Sequence, residues 1–455
     1  MGDEPSSPAF RFGGALRSTA ASAVLAFALL LPLIGFDTVV NIRNELVLKT
    51  RWPLLFVMVA IVAGLRFLQL TAIGPWLADW RRRGGLTISL PARAALGRWA
   101  KPIALGLVLA YPMLAFALAG PGAAKWIDNY GVQILIYVML GFGLNIVVGL
   151  AGLLDLGYVA FYAIGAYTCA LLGRNFGLSF WAMLPLAGIF AAIWGILLGF
   201  TVLRLRGDYL AVVTLAFAEI LRIVLINWVP VTNGYAGISG IPRPTLFGIP
   251  FDASPGGFAA RFGLEFSPVY RLLFLYYVVL AGAVLTAFLV DRLRRLPIGR
   301  AWEALREDEI ACRSLGINTT ISKLTAFAMG AFVGGLAGAF FSARQGFISP
   351  ESVNFGESAL ILAIVVLGGM GNQTGVAIAA VAIIGGTEAL RELDFLKQVF
   401  GNEFDPTQYR MLLFGFAMVL IIAWKPRGLI GSREPSVVLK ERKPIAASLL
   451  REGRG

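Results

Sequence analysis

The chain has 455 residues, of which 58% are hydrophobic and only 14% charged; its mean hydropathy is +0.77 and its net charge +13. Soluble globular chains carry about 25% charged residues, so the sequence excludes a water-soluble class and reads as an all-α, polytopic membrane protein. It contains no histidine, which excludes histidine catalysis, histidine–metal sites and imidazole proton relays.

A span needs about 20 mostly apolar residues to cross roughly 30 Å of hydrocarbon. About twelve stretches approach this, within a range of roughly 10–12 transmembrane helices; they lie near 18–36, 52–75, 102–121, 131–152, 156–173, 179–203, 208–229, 270–290, 324–343, 357–370, 374–389 and 411–424. The first apolar run, Ala20 to Ile34, lacks a small-residue cleavage site and a second span follows at once. It therefore reads as a retained helix and not as a signal peptide. Residues 1–125 form, on this reading, an N-terminal three-helix membrane extension, and 130–430 a second unit with nine spans. The loop from Pro230 to Ser267 is rich in glycine, proline and aromatic residues, and 431–455 is a basic tail expected to be disordered.

The basicity is a topology signal. With the N-terminus inside, alternating spans put about two-thirds of the 39 Lys and Arg residues on the cytoplasmic side. Cys169 falls in a span and Cys312 in a loop, so no disulfide framework is implied. Gly330, Gly334 and Gly338 recur at four-residue spacing in one span, a ridge of small residues that lets helix backbones approach. The segment from Leu367 to Gly375 (LGGMGNQTG) contains Gly368, Gly369 and Gly371. It reads either as a tight turn at the inner surface or as a backbone break at membrane depth, which would mark the pathway.

No catalytic constellation is present. The chain has no phosphate-binding Gly-x-x-x-x-Gly-Lys-Ser/Thr loop and no paired-cysteine metal spacing, so energy must come from an ion gradient or a partner. Glu219 and Arg222 stand inside a span, three residues apart and thus on one helix face. Intramembrane charges are functional candidates by default; the plainer reading, a structural ion pair, is the one we favour. Asn145 and Glu388 are further intramembrane polar residues, and Arg66 is assigned no role. Between the spans at 270–290 and 324–343 lies a charged stretch in which Trp302, Leu305, Ile310 and Leu315 give an apolar side, and Glu303, Arg306, Glu307, Glu309 and Arg313 a charged one. The stretch 291–323 reads either as a solvated basic face anchoring the inner leaflet or, as we favour for an amphipathic helix ending at Gly316, as a docking element for a soluble protein.

Five stretches resemble permease subunits of branched-chain amino acid ABC importers: Gly141–Gly157 (GFGLNIVVGLAGLLDLG) with Gly165–Thr168 (GAYT), Leu205–Arg222, Gly234–Pro242, Gly299–Glu309 with Leu315–Asn318, and Lys425–Leu429 (KPRGL). The resemblance covers about 130–430. It implies the ABC importer permease fold, and the one of two unlike permease subunits that carries an N-terminal membrane extension. On that basis the chain forms half of a translocation pore for leucine, isoleucine and valine. A second permease subunit completes the heterodimer, two ABC ATPase subunits bind ATP and Mg, and a periplasmic amino-acid-binding protein delivers substrate. This chain itself is then no enzyme and binds no cofactor, metal or nucleic acid; it sits in the bacterial inner membrane with both termini cytoplasmic.

The resemblance also implies a coupling helix at 303–318, carried by Glu303, Arg306, Glu307, Glu309, Ala311, Leu315 and Gly316. The usual Glu-Ala-Ala opening followed by glycine is matched only in part, by Glu309-Ile-Ala-Cys with Gly316. Asn145, Glu219, Arg222, Gly368, Gly369 and Gly371 are the candidates for the translocation path or its structural support. Two alternatives stand beside this reading. One is an ABC permease for urea or short amides, the other an ion-coupled secondary transporter using Glu219.

Overall fold

A computed structural model describes residues 8–31, 36–40, 46–50, 52–68, 71, 90–202, 205, 207–246 and 248–391, with Gly415, Val419 and Gly428. The expected span at 411–424 and the tail at 431–455 lie outside the described residues apart from Gly415 and Val419. The chain divides into two compact units, Met1–Leu105 and Gly106–Gly455.

In the first unit, α1 (Pro8–Leu30) and α2 (Trp52–Leu68) pack together, with the rings of Phe27 and Phe56 6.3 Å apart. Between them runs an antiparallel ladder of β1 (Phe36–Val40) and β2 (Leu46–Thr50), in register from Phe36 opposite Thr50 to Val40 opposite Leu46. The search for apolar spans is blind to such a short connection, and the sequence reading did not anticipate it. Helix α3 (Leu90–Ala119) carries the expected span at 102–121 across the boundary between the units.

The second unit is a helical bundle. Its first helices are α4 (Ala123–Leu150), α5 (Val159–Phe176), α6 (Phe180–Thr201), α7 (Asp208–Asn227) and α8 (Pro268–Arg295). Two short helices follow, α9 (Pro297–Glu307) and α10 (Glu309–Ser314), then α11 (Thr319–Gln345), α12 (Phe355–Gly368) and α13 (Gln373–Arg391). Among the described residues six helices are long and apolar enough to cross a membrane: α4, α6, α7, α8, α11 and the stretch Pro350–Gly368 that includes α12. Shorter apolar helices cover Leu16–Ala28, Leu55–Leu68, Pro102–Ala117 and Gln373–Ala389, and α5 carries the stretch expected at 156–173.

Helices α4 and α11 form the centre, because their small residues leave room for neighbours. A Cβ on Gly338 would strike the carbonyl of Tyr162 on α5, and one on Gly165 of α5 would strike Gly335. A Cβ on Gly330 would meet the Val147 side chain of α4 at 2.5 Å. The ridge read from the sequence is thus a packing surface. Lipid provides no hydrophobic drive between helices, and polar bonds add the specificity. Tyr158 donates its hydroxyl to the Gly330 carbonyl (2.9 Å), Val159 N–H to Ser358 Oγ (3.0 Å), and Tyr137 its hydroxyl to Glu357 Oε2 (2.6 Å).

The glycine segment resolves as a turn. Helix α12 stops at Gly368 and α13 starts at Gln373, with Gly369 (φ +101°) and Gly371 (φ +90°) in conformations that side chains resist. The two helices touch backbone to backbone, since a Cβ on Gly368 would lie 2.5 Å from Val376 N.

The packing yields a direct test. Gly338→Leu has no space to enter and is expected to destabilise the bundle by about 3 kcal/mol or more, the upper range for overpacking. A melting curve in detergent that matches wild type would show that α5 and α11 do not meet here.

Candidate functional site

The charged loop after α8 turns sharply into α9. Gly299 sits in that corner, where any Cβ would lie 2.5 Å from Arg294 Cα, and Pro297 takes the first-turn position that needs no N–H partner. Trp302 and Leu305 are buried, and the Trp302 indole N–H donates to Thr325 Oγ1 of α11 at 3.1 Å. Glu303 holds Arg294 of α8 (Nε to Oε1, 2.7 Å). One face of α9 is therefore fixed to the bundle.

Arg306 reaches further. Its Nη1 donates to the carbonyl of Gly149, in the last turn of α4, where carbonyls have no partner in their own helix. Its aliphatic stem lies over Gly152 (φ +71°), where a Cβ would come within 2.7 Å of Arg306 Cγ. Beside it, Asn145 Oδ1 accepts from Gly371 N–H of the α12–α13 turn at 2.8 Å. Gly149 leaves room for both partners, because a Cβ there would collide with Asn145 and with Gly371 N. Helix α9, the end of α4 and the glycine turn thus meet at one junction. Asn145, Arg306, Gly368, Gly369 and Gly371 come together there, as no spacing in the sequence could show.

The single amphipathic helix expected at 303–318 is in fact two. Asp308 is extended (φ −157°, ψ 115°) and breaks the chain; its Oδ1 accepts from Ile310 N–H (2.7 Å) and Ala311 N–H (3.0 Å), capping α10. Trp302 and Leu305 face the bundle, while Ile310 is 68% and Leu315 79% exposed, and Ala311 is exposed beside them. Glu307 is exposed at the end of α9. Gly316 (φ +81°) closes the unit in a left-handed conformation, with Ile317 N–H returning to the Cys312 carbonyl at 2.9 Å.

Glu309 anchors α10 from below. Its Oε1 accepts from Arg313 (2.6 Å) and from Lys323 Nζ on α11 (3.1 Å), with the Lys323 side chain only 6% and Glu309 13% exposed. No motif in the sequence marks Lys323; its pairing across fourteen residues is set by the fold. Asp155 was likewise missed. It is buried in the loop between α4 and α5, accepts from Gly157 N–H at 2.8 Å, and has no partner for Oδ2. Burial pushes its carboxyl up to about 6, against the opposing pull of the Gly157 N–H and Thr214. The only sequence signal was a carboxylate within an otherwise apolar run.

Glu219 and Arg222 form the expected pair (Arg222 Nη2 to Glu219 Oε1, 2.6 Å; Nε 2.9 Å). They lie on the outer surface of α7, 45% and 29% exposed, beside exposed Ile220 and Ile223. The bundle interior does not receive them. Glu388 is buried on α13.

The described residues form a mainly helical, multi-pass membrane architecture, with the short helices α9 and α10 rooted in its bundle. A family model described as "Branched-chain amino acid transport system / permease component" matches residues 126–422, and the chain belongs to that family. A second model, a domain of unknown function (DUF3382), matches residues 14–111. The chain is 54% identical over 334 residues to the high-affinity branched-chain amino acid transport system permease protein LivM of Salmonella typhimurium (strain LT2), covering 72% of this chain and 76% of that protein. It is 52% identical over the same length to LivM of Escherichia coli K12. To the permease protein LivH of E. coli K12 it is 24% identical over 309 residues, covering 66% of this chain and 92% of that protein. No solved structure matches the chain significantly.

The Asp155 carboxyl gives a pH test. A carboxyl raised in the folded state costs stability as pH rises from its unfolded value near 4 to its folded value near 6, and the cost is complete above that. Between pH 4 and pH 8, wild type should lose on the order of 3 kcal/mol relative to Asp155→Asn. Parallel melting curves at the two pH values check this, and an unchanged gap would mean that Asp155 is ionised freely.

Proposed function

We propose that this chain forms one half of the translocation pore of an ATP-driven importer for leucine, isoleucine and valine. The observation that carries the reading is α10, a short capped helix whose Ile310 and Leu315 project outward while Glu309 ties its base to buried Lys323. Exposed apolar knobs on a rigid mount suit a cleft in a soluble partner, and the family membership supports an ATPase subunit as that partner. Two such subunits bind ATP and Mg; this chain binds neither and catalyses nothing.

A push on α10 passes through α9 and Arg306 to the Gly149 carbonyl and the glycine turn. ATP drives the pore by binding one state of the assembly better than the other. Glu303, Arg306 and Glu309 hold the element to the bundle, whereas Glu307, Ala311, Leu315 and Gly316 shape its outer side. The partly exposed Glu219–Arg222 pair on α7 fits the seam with a second, unlike permease subunit, where a charged pair avoids lipid. The similarity to both LivM and LivH proteins supports such a heterodimer. Residues 1–125 are the N-terminal extension, 130–430 the permease core and 431–455 a cytoplasmic tail. The positive-inside bias places both termini in the cytoplasm of a bacterial inner membrane, and a periplasmic binding protein feeds the outer face.

Purification from native membranes in mild detergent tests the assembly: a second permease and two ATPase subunits are expected, and recovery of the chain alone would overturn the reading. Ile310→Asp with Leu315→Asp should leave the bundle melting as in wild type while abolishing retention of the ATPase and ATP-dependent leucine uptake. Arg306→Gln should keep the ATPase bound and hydrolysing but lower uptake at least about ten-fold, since a charge-assisted hydrogen bond is lost; normal uptake would remove Arg306 from the path.

A further inference from the structure

Helix α11 carries the chain from α10 to the opposite end of the bundle, about 40 Å away for its 27 residues. A cleft of about 550 Å³ opens at that end, within the range of small-molecule sites. It lies between the 240–252 loop, the first turn of α8 and Gly346, which ends α11.

Its walls are fixed. Gly240 and Ile241 donate their N–H groups to the Gly346 carbonyl (3.1 and 3.3 Å), beside the pairing of β3 (Ile238–Ser239) with β4 (Phe347–Ile348). Trp181 Nε1 donates to the Thr245 carbonyl at 2.8 Å. Phe251 stacks on Phe274 of α8 with ring centroids 4.9 Å apart and stands at the same distance from Phe258.

The charges of the cleft are unspent. Arg243 lies against the Gly346 backbone, so that a Cβ there would meet its Nη2 at 3.0 Å, and Arg271 feels Arg243 as a like charge. Neither arginine has an ion-pair partner among the described residues. Asp128, the acidic group that acts on Arg271, is already held by both nitrogens of Arg344 (2.8 and 3.0 Å). On the facing loop, Asp252 uses Oδ1 to accept from Ser254 N–H and Oγ and leaves Oδ2 available. Two guanidiniums, one carboxylate and an apolar wall of Ile241, Pro244 and Phe251 therefore line one concavity.

We propose that this cleft binds a free aliphatic amino acid, its carboxylate on Arg243 and Arg271, its ammonium on Asp252 and its side chain against Phe251, Ile241 and Pro244. Guanidinium forks match carboxylates, and the presence of both signs beside an apolar wall selects a zwitterion over a simple anion. The proposal rests on the importer reading and deepens it: the cleft is the first station for substrate on this subunit, at the end of the bundle away from the ATPases.

The test is binding of radiolabelled leucine to the full chain in lipid nanodiscs, with competition by leucinol, which lacks the carboxylate, and by 4-methylpentanoate, which lacks the ammonium. Leucine should bind, and both analogues should compete at least about ten-fold less well, as loss of a charge-assisted contact predicts. Arg243→Gln with Arg271→Gln should weaken binding by a similar factor, and Asp252→Asn should do so with the arginines intact. Each variant is first required to elute and melt as wild type does. Absence of leucine binding to wild type, or binding that these variants leave unchanged, would overturn the site. Loss of binding-protein capture in the arginine variants, with leucine binding unaltered, would also overturn it and assign the cleft to docking. ATP-driven leucine uptake by the reconstituted wild-type complex is measured alongside. Uptake without cleft binding refutes only this site, whereas cleft binding without uptake in the complete complex refutes the importer reading.

Discussion

The hydrogen bond from Arg306 to the Gly149 carbonyl is the contact on which this end of the bundle depends. A helix leaves its last carbonyls unsatisfied, and at the buried end of α4 water cannot serve them. One guanidinium from the neighbouring helix α9 does so, and its stem requires Gly152 beneath it. The same last turn accommodates Asn145 and the N–H of Gly371. Glycines at 149, 152 and 371 are therefore consequences of one demand, that three elements share the end of a single helix.

That junction gives mechanical meaning to the break at Asp308. Trp302 and Leu305 bury one face of α9, and on α10 it is Glu309 and Cys312 that turn toward the bundle. Asp308 ends one helix and caps the next, leaving Ile310 and Leu315 exposed. Glu309 and Lys323 then hold α10 in that attitude with a mostly desolvated pair, which loses its compensation if either partner is removed. The exposed side of α10 and the bundle centre are separated by only a few side chains.

The two ends of the bundle are chemically unlike. The end at α9 is closed by glycine contacts and a satisfied arginine. At the far end, Arg243 and Arg271 line an open cleft and have no ion-pair partner among the described residues. That separates the region from the structural Arg344–Asp128 pair nearby.

Much of this was legible in the sequence. Hydropathy alone marked the spans, because lipid tolerates no unsatisfied backbone and so forces long apolar helices. The Gly330–Gly334–Gly338 spacing announced a packing ridge, and the motifs announced the family. A one-dimensional pattern could not say that Glu219 and Arg222 face outward on α7, that Lys323 completes Glu309, or that Asp155 is buried with a free oxygen. Nor could it choose between turn and broken helix at 367–375. The sequence by itself determined which segments lie in lipid and what kind of protein they build, since these follow from composition and local period. Only the tertiary structure decided which polar groups meet, because partners such as Arg306 and Gly149 are separated by 157 positions and are joined by helix packing alone.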